Sequence, residues 1–178
     1  MLADPRHSRV VLINLARAGD QTSAASGARE AGLSLLKAGL ALFAVPVMTI
    51  GQAAPFSIAS GEQTAGPMGE LEGDALSLWH NEQFTAALDA SDTRIIYLCG
   101  SWLEEDIFIV ALQGAERGYE IRLLSDLIEA RSNDDRALAF DRLASHGVLA
   151  GTVRQMLLEW AAFCDDARLK QSVLRLLS

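Results

Sequence analysis

Short apolar runs alternate with stretches of helical periodicity along most of this chain, and this alternation constrains its fold more than any other feature. The runs are rich in β-branched residues and carry few charges. Strands that are apolar on both faces are typical of a parallel sheet covered by helices on each side. The sequence therefore predicts an α/β fold with three layers and a parallel sheet of five or six strands. The predicted strands are Val10–Leu15, Phe43–Ile50, Arg94–Cys99, Tyr119–Leu124 and Gly147–Thr152.

A single domain is expected over residues 1–178, because half of the residues are apolar and the length suits one buried core. Within it we predict a tail over residues 1–8 and a long loop over residues 52–74, which is rich in Gly, Ala, Ser and Pro. Residues 153–178 are predicted to be helical with a break near Asp165. The other predicted helices begin at Ala28 and cover Glu82–Ala90, Glu104–Arg117 and Asp134–His146.

Charge and hydropathy narrow the classes of partner. The net charge of -8 argues against binding to nucleic acid, which favours a basic surface. The apolar stretch Leu33–Ile50 contains Lys37, Gly39 and Pro46, so we expect no membrane helix there, and residues 1–9 do not resemble a signal peptide. Cys99 and Cys164 lie far apart in apolar stretches, as buried thiols do in a reducing compartment. A cytoplasmic protein is expected.

Several short motifs occur in an order that resembles the isochorismatase-like cysteine hydrolase superfamily, and within it the YcaC-like group. Gly100 ends a strand and precedes a turn and an apolar helix, after which Arg117–Glu120 reads RGYE and Asp126 follows the next strand. The motifs farther upstream are Val45–Val47, Gly66–Pro67 with Glu70–Leu71, and Trp79 with Asn81 and Phe84. The resemblance covers about four fifths of the chain and implies the strand order 3-2-1-4-5-6.

The resemblance also implies a catalytic triad, and this chain departs from it at each position. The family places a nucleophilic cysteine at the start of the buried helix, an aspartate at the end of the first strand, and a lysine between them. The cysteine position falls on Asp106 and the aspartate position on Asn14. The lysine position falls near residues 72–75, whereas the two lysines of the chain are Lys37 and Lys170.

Two functions remain open on these residues. The first is a homologue that has lost the triad and acts as a non-catalytic small-ligand-binding or assembly subunit. The second is a hydrolase of a small amide or ester whose acid/base chemistry uses Asp106 and Asn14. No cofactor and no metal is expected in either case. Candidate pocket residues are Trp79, His80, Asn81, Ser101, Trp102 and Leu103.

Structural roles compete with these functional ones. Glu104, Glu105 and Asp106 occupy a helix start, where acidic side chains favour the helix dipole, and Ser101 with Glu104 matches a capping box. Asn14 serves equally well to satisfy backbone groups at a strand end. Cys99, on a strand, is expected to be buried rather than reactive.

A homo-oligomer is expected, since the resemblance implies assembly and the last helices are more apolar than a solvated segment requires. The side chains predicted to form that contact are Trp160, Phe163, Val173, Leu174 and Leu177.

Overall fold

The structure is a computed structural model that describes residues 2–15, 23–51, 69–71 and 74–178, with residues 23–26 and 69–71 described as backbone only. One parallel sheet of six strands runs through it in the order β3-β2-β1-β4-β5-β6. This confirms the predicted α/β class and strand order. The strands are β1 (Ser8–Ile13), β2 (Val47–Ile50), β3 (Gly69–Leu71), β4 (Ile95–Gly100), β5 (Glu120–Leu124) and β6 (Leu149–Gly151).

Helices cover both faces of this sheet. One layer contains α1 (Ser23–Phe43), α5 (Val153–Cys164) and α6 (Ala167–Leu177), which contact one another. The other layer contains α2 (Glu82–Asp89), α3 (Phe108–Glu116) and α4 (Asn133–Ser145). Every residue of β1, β2 and β4 is buried, because these central strands have a helical layer on each side.

The break predicted near Asp165 is confirmed. Asp165 adopts a left-handed conformation with φ of 49°, and the side chain of Asp166 then caps α6 by accepting hydrogen bonds from the backbone of Arg168 and Leu169. Left-handed residues commonly end helices, so α5 and α6 are separate helices. No helix in the part of the chain that the structure describes is both long and apolar enough to cross a membrane.

Several boundaries differ from the sequence prediction. Phe43 ends α1, so the second strand is only Val47–Ile50, and Ala44 with φ of 53° reverses the chain between them. The tail predicted over residues 1–8 is wrong for Pro5–His7, which form a 3-10 turn, and for Ser8, which begins β1.

The loop predicted over residues 52–74 is wrong for Gly69–Leu71, which pair with β2 as an edge strand. Three residues are too few to show a period in the sequence. Residues 52–68 and 72–73 lie outside the described residues, and with them Gly66–Pro67 and part of the lysine position near residues 72–75. Asp74 is described and caps the 3-10 turn Ala75–His80.

Candidate functional site

Three polar side chains meet where β1 and β4 end. Asn14 follows β1, Ser101 follows β4, and Asp106 lies on a π-helical turn, Leu103–Ile107, that leads into α3. Asn14 Nδ2 donates a hydrogen bond to Asp106 Oδ2 at 2.8 Å, and Ser101 Oγ donates to the same oxygen at 2.7 Å. We call Asn14, Ser101 and Asp106 the polar triangle. It lies at the carboxyl edge of the sheet, where parallel α/β proteins commonly bind ligands.

The backbone around Asn14 explains how its side chain reaches Asp106. Asn14 has φ of 46°, in the left-handed region that asparagine tolerates better than most residues, and its N–H donates to the carbonyl of Ile50 at 2.9 Å. Gly51 lies alongside with φ of 70°, and a Cβ on it would lie 2.1 Å from Asn14 Oδ1. The absence of a side chain at Gly51 therefore leaves space for the Asn14 amide.

Gly100 brings Ser101 to the same place. It has φ of 132°, and a Cβ there would lie 2.1 Å from the carbonyl oxygen of Ile13. The next residue, Ser101, donates its backbone N–H to that same carbonyl at 2.8 Å. Only glycine allows the ends of β1 and β4 to approach so closely.

The polar triangle is enclosed by protein. Asn14 and Asp106 are 9% and 6% exposed, and Ser101 has no exposed surface. Both donors use one carboxylate oxygen, so its lone pairs are occupied. An amide donates hydrogen bonds but does not take up a proton at ordinary pH, and a hydroxyl without exposed surface does not meet a substrate. Both of the donors to Asp106 Oδ2, an amide and a hydroxyl, are neutral groups.

Arg29, a cationic side chain at the carboxyl edge of the sheet, already has an acidic partner. Arg29 of α1 donates Nη2 to the carbonyl of Gly100 at 2.9 Å and Nη1 to Glu129 Oε1 at 2.7 Å. Lys37 lies eight residues beyond Arg29, which places it about 12 Å farther along α1. Lys170 lies on α6 and pairs with Asp165. Neither lysine therefore lies at the start of α1 with Arg29.

The acidic residues of the π-helical turn have separate roles. The predicted capping box is wrong, because the side chain of Ser101 bonds Asp106 instead of capping the turn. The N-cap position is occupied by Trp102, whose side chain makes no capping hydrogen bond within the described residues. Glu104 instead accepts the backbone N–H of Arg131 at 3.1 Å, and Glu105 pairs with the Arg131 side chain. Asp106 therefore differs from Glu104 and Glu105, because it is the buried carboxylate of the three.

Two of the predicted pocket residues, Trp79 and Asn81, are held by contacts of their own. Trp79 is buried, donates Nε1 to the carbonyl of Val110 at 2.9 Å and stacks on Tyr119. Asn81 caps α2 through Oδ1, and His80 beside it is exposed. The 3-10 turn that contains Trp79, Ala75–His80, contacts the π-helical turn.

The remaining two candidates, Trp102 and Leu103, lie at the start of the π-helical turn that carries Asp106. Leu103 is buried and donates its backbone N–H to the carbonyl of Glu129 at 2.7 Å. Trp102 is half-buried and lies under the Arg131 guanidinium, 4.7 Å from the ring centre. The structure therefore brings Ser101, Trp102 and Leu103 to the start of the helix that carries Asp106.

Neither cysteine resembles a nucleophile in its surroundings. Cys99 is fully buried on β4, and burial raises the pKa of its thiol far above the ordinary value. Cys164 is the last residue of α5, and burial also raises the pKa of its thiol. Because the thiolate is the reactive form, both thiols are poorly reactive at neutral pH.

Part of this chain is similar in sequence to known proteins. Residues 71–155, which include Ser101, Asp106 and the π-helical turn, match the family model described as Isochorismatase domain. This match covers just under half of the chain. Isochorismatase domain-containing protein 2 of Danio rerio is 34% identical over 68 residues, or 38% of this chain and 34% of that protein. The same protein of Xenopus laevis is 32% identical over 80 residues, covering 45% and 39%. These matches span little more than a third of either curated relative.

Solved structures share the fold of this chain. YcaC from Pseudomonas aeruginosa superposes with a TM-score of 0.78 at 14% identity, covering 97% of this chain and 90% of that one. The ycaC gene product from Escherichia coli, described as an octameric hydrolase of unknown specificity, gives 0.77 at 16%, with coverage of 99% and 90%. MAR1 ribonuclease from Caenorhabditis elegans gives 0.75 at 16%, with coverage of 99% and 92%. At identities of 14% to 16%, these similarities establish a shared fold.

A second polar cluster, between β5 and α5, was not predicted from the sequence. Arg122 of β5 is 6% exposed and donates Nε to Glu120 Oε1 at 2.7 Å, while its Nη1 bonds Glu159 of α5. We call Glu120, Arg122 and Glu159 the Arg122 cluster. Burial lowers the pKa of the guanidinium, but the carboxylates outweigh burial and raise it. An arginine inside a predicted strand buried on both faces was the available signal.

The Arg122 cluster borders a cleft of about 220 Å³ between β5, β6 and the first half of α5. Tyr97 of β4 also lines this cleft, and its ring packs edge-on against Trp160 at 5.6 Å. Val10 pairs with Tyr97, and Tyr97 pairs with Arg122. The cluster is therefore four residues down β1 and two strands across from Asn14, roughly 16 Å away.

Proposed function

We propose that this isochorismatase-domain protein has no cysteine-hydrolase activity and serves as a non-catalytic subunit that binds a small ligand or supports an assembly. The observation that carries the proposal is the polar triangle. Asp106 stands where the resemblance places a nucleophilic thiol, and its Oδ2 is bound by Asn14 and Ser101. A carboxylate fixed in this way offers neither a thiolate nor a proton acceptor at that oxygen.

The surroundings of Asp106 support the same reading. Thiolate formation at a helix start is favoured by a nearby cation and by the helix dipole. Glu104 and Glu105 precede Asp106 directly, and Arg29 is neutralised by Glu129. Even with a thiol at position 106, the nearby charges would disfavour its ionisation.

The test is steady-state turnover of a panel of small amides and esters by the full chain. We expect no turnover above buffer for the wild type, for Asp106→Cys, or for Asp106→Cys combined with Asn14→Asp, because groups that act as a unit are not restored one at a time. Glu105→Gln is the matched control at an exposed neighbour. Wild-type turnover that disappears in Asp106→Asn but persists in Glu105→Gln would overturn the proposal in favour of acid/base hydrolysis.

We also propose that the protein is a homo-oligomer, as the octameric Escherichia coli relative is. Of the predicted contact residues, Trp160, Val173 and Leu177 are buried within the chain's own core, so they are not available for a partner. Phe163 and Leu174 are 38% and 62% exposed and remain as contact candidates. Light scattering is expected to give a multiple of 19.1 kDa that Phe163→Glu or Leu174→Glu lowers, whereas Leu138→Glu on α4 does not. A mass of 19.1 kDa at micromolar concentration would refute this proposal.

A further inference from the structure

The cleft beside the Arg122 cluster has the composition of a binding site for a small organic molecule. Four polar side chains line it, those of Tyr97, Arg122, Gln155 and Glu159. Leu149 and Met156 add apolar surface. Apolar walls with a few convergent polar groups are typical of ligand sites.

The guanidinium of Arg122 does not offer this cleft an anion site. Its Nε and Nη2 both contact Glu120, and its Nη1 contacts Glu159. The guanidinium is shared between two carboxylates, and one of them, Glu159, lines the cleft. A guanidinium paired in this way attracts an entering anion weakly, whereas the carboxylate on the cleft wall attracts a cation.

The polar atoms without partners specify the ligand further. Glu159 uses Oε2 for both Arg122 and the backbone N–H of Ala3, so within the described residues its Oε1 has no partner. The Tyr97 hydroxyl has Arg122 Nη1 at 3.5 Å, but no acceptor for its own hydrogen in the described chain, although Tyr97 is 2% exposed. Gln155 caps α5 with Oε1, and its Nε2 makes no contact with a described residue. The cleft thus presents one free carboxylate oxygen and two kinds of free donor.

We propose that this cleft binds a small protonated amine with a neighbouring oxygen acceptor, such as a branched amino alcohol. The ammonium group lies at Glu159 Oε1, the ligand oxygen accepts from the Tyr97 hydroxyl and the Gln155 amide, and the hydrocarbon packs on Leu149 and Met156. Gln155 and Glu159 are four residues apart on α5, so they face the same side of the helix. The proposal does not depend on the chemistry at the polar triangle, roughly 16 Å away.

Four related compounds test the class of ligand. Leucinol has the amine, the hydroxyl and the branched chain. By comparison, 3-methylbutylamine lacks the hydroxymethyl group, 4-methyl-1-pentanol lacks the amine, and leucine has a carboxylate in place of the hydroxymethyl group. Saturation-transfer NMR titrations of the full chain are expected to give leucinol a Kd in the millimolar range, as a small ligand allows. We expect 3-methylbutylamine to bind about 5-fold more weakly, and the alcohol and leucine at least about 10-fold more weakly.

Two substitutions locate the site. Tyr97→Phe keeps the ring and removes the hydroxyl, so it should weaken leucinol about 5-fold and leave 3-methylbutylamine unchanged. Ala150 lines the cleft from the exposed edge strand β6, and Ala150→Phe should abolish binding of both amines. Leu138→Phe, at an exposed position of α4, is the matched control.

Three results would overturn the inference: no saturation by leucinol in the millimolar range, equal affinity for leucinol and leucine, or unchanged binding in a folded Ala150→Phe variant. The turnover assays of the wild type and the Asp106 variants report on the polar triangle separately. Hydrolysis by the wild type would refute the proposed loss of catalysis and leave the amine site standing. Failure of leucinol to bind would refute the amine site and leave the proposed loss of catalysis standing.

Discussion

The polar triangle and the Arg122 cluster both bury charge, but they stabilise it in opposite ways. Asp106 is a carboxylate bound by an amide and a hydroxyl, and both of those donors are neutral. Arg122 is a guanidinium bound by two carboxylates that are each about one-third exposed, and one of them, Glu159, lines a cleft. In the first arrangement both donors bond one carboxylate oxygen, whereas in the second Glu159 Oε1 has no partner among the described residues.

A buried ion paired by charges depends on its partners' ionisation, and removing one partner leaves an uncompensated charge. A buried ion bound by neutral donors is sensitive instead to any new charge placed beside it. The two regions should therefore respond differently to substitutions that are similar in size.

The largest effect is expected from Arg122→Met. The change keeps an unbranched apolar side chain but leaves Glu120 and Glu159 without their shared cation. Breaking a buried ion pair costs about 3 to 5 kcal/mol, and the partial exposure of both glutamates places this case near 3. Urea unfolding at pH 7 measures the loss. Glu159→Gln is the control, because it keeps the Arg122–Glu120 pair and should cost much less; equal losses would show that the Arg122–Glu159 pair alone accounts for the effect.

Asn14→Asp is expected to have the next largest effect. It places a second carboxylate about 2.8 Å from Asp106 Oδ2, where two ionised groups repel each other and a donated hydrogen bond is lost. We expect a loss of about 2 kcal/mol in the free energy of unfolding at pH 7.

The pH dependence of Asn14→Asp follows from proton binding. A folded state in which the two carboxylates share a proton binds more protons than the unfolded chain, so the variant's stability falls as pH rises through that titration. Its deficit relative to wild type should therefore be smaller at pH 5 than at pH 7. Asn14→Asp with Asp106→Asn exchanges amide and carboxylate and should recover most of the loss. A deficit independent of pH would contradict this account.

The sequence predicted the fold further than it predicted either polar region. The central strands are buried on both faces, so their composition alone distinguishes them, and the resemblance supplied their order. Asn14 and Asp106 were candidates individually, but their contact depends on the left-handed backbone at Asn14 and the close approach at Gly100, which no local pattern encodes. The Arg122 cluster joins β5 to α5, and its pairing is visible only when those elements are packed together.

Ser101→Ala should have a smaller effect than Asn14→Asp. It removes one of the two donors to Asp106 Oδ2 without adding a charge, and hydrogen bonds to charged groups contribute about 1.5 to 3 kcal/mol. Because Asn14 still bonds the same oxygen, we expect a loss of about 1.5 kcal/mol by urea unfolding. Thr93→Ala, a buried hydroxyl outside the polar triangle, is the comparison. If both variants lost the same stability, the charge on Asp106 would have no part in the effect.

Glu105→Gln is expected to have the smallest effect, and it sharpens the comparison because Glu105 is the immediate neighbour of Asp106. Its side chain is 43% exposed and pairs with Arg131, which is 59% exposed. Exposed ion pairs add little to stability, since water and salt screen them and two long side chains must be ordered. The urea midpoint should not move beyond replicate error at 0.15 M salt. A shift as large as that of Ser101→Ala would mean that the π-helical turn as a whole, rather than the buried carboxylate alone, is held by its acidic side chains.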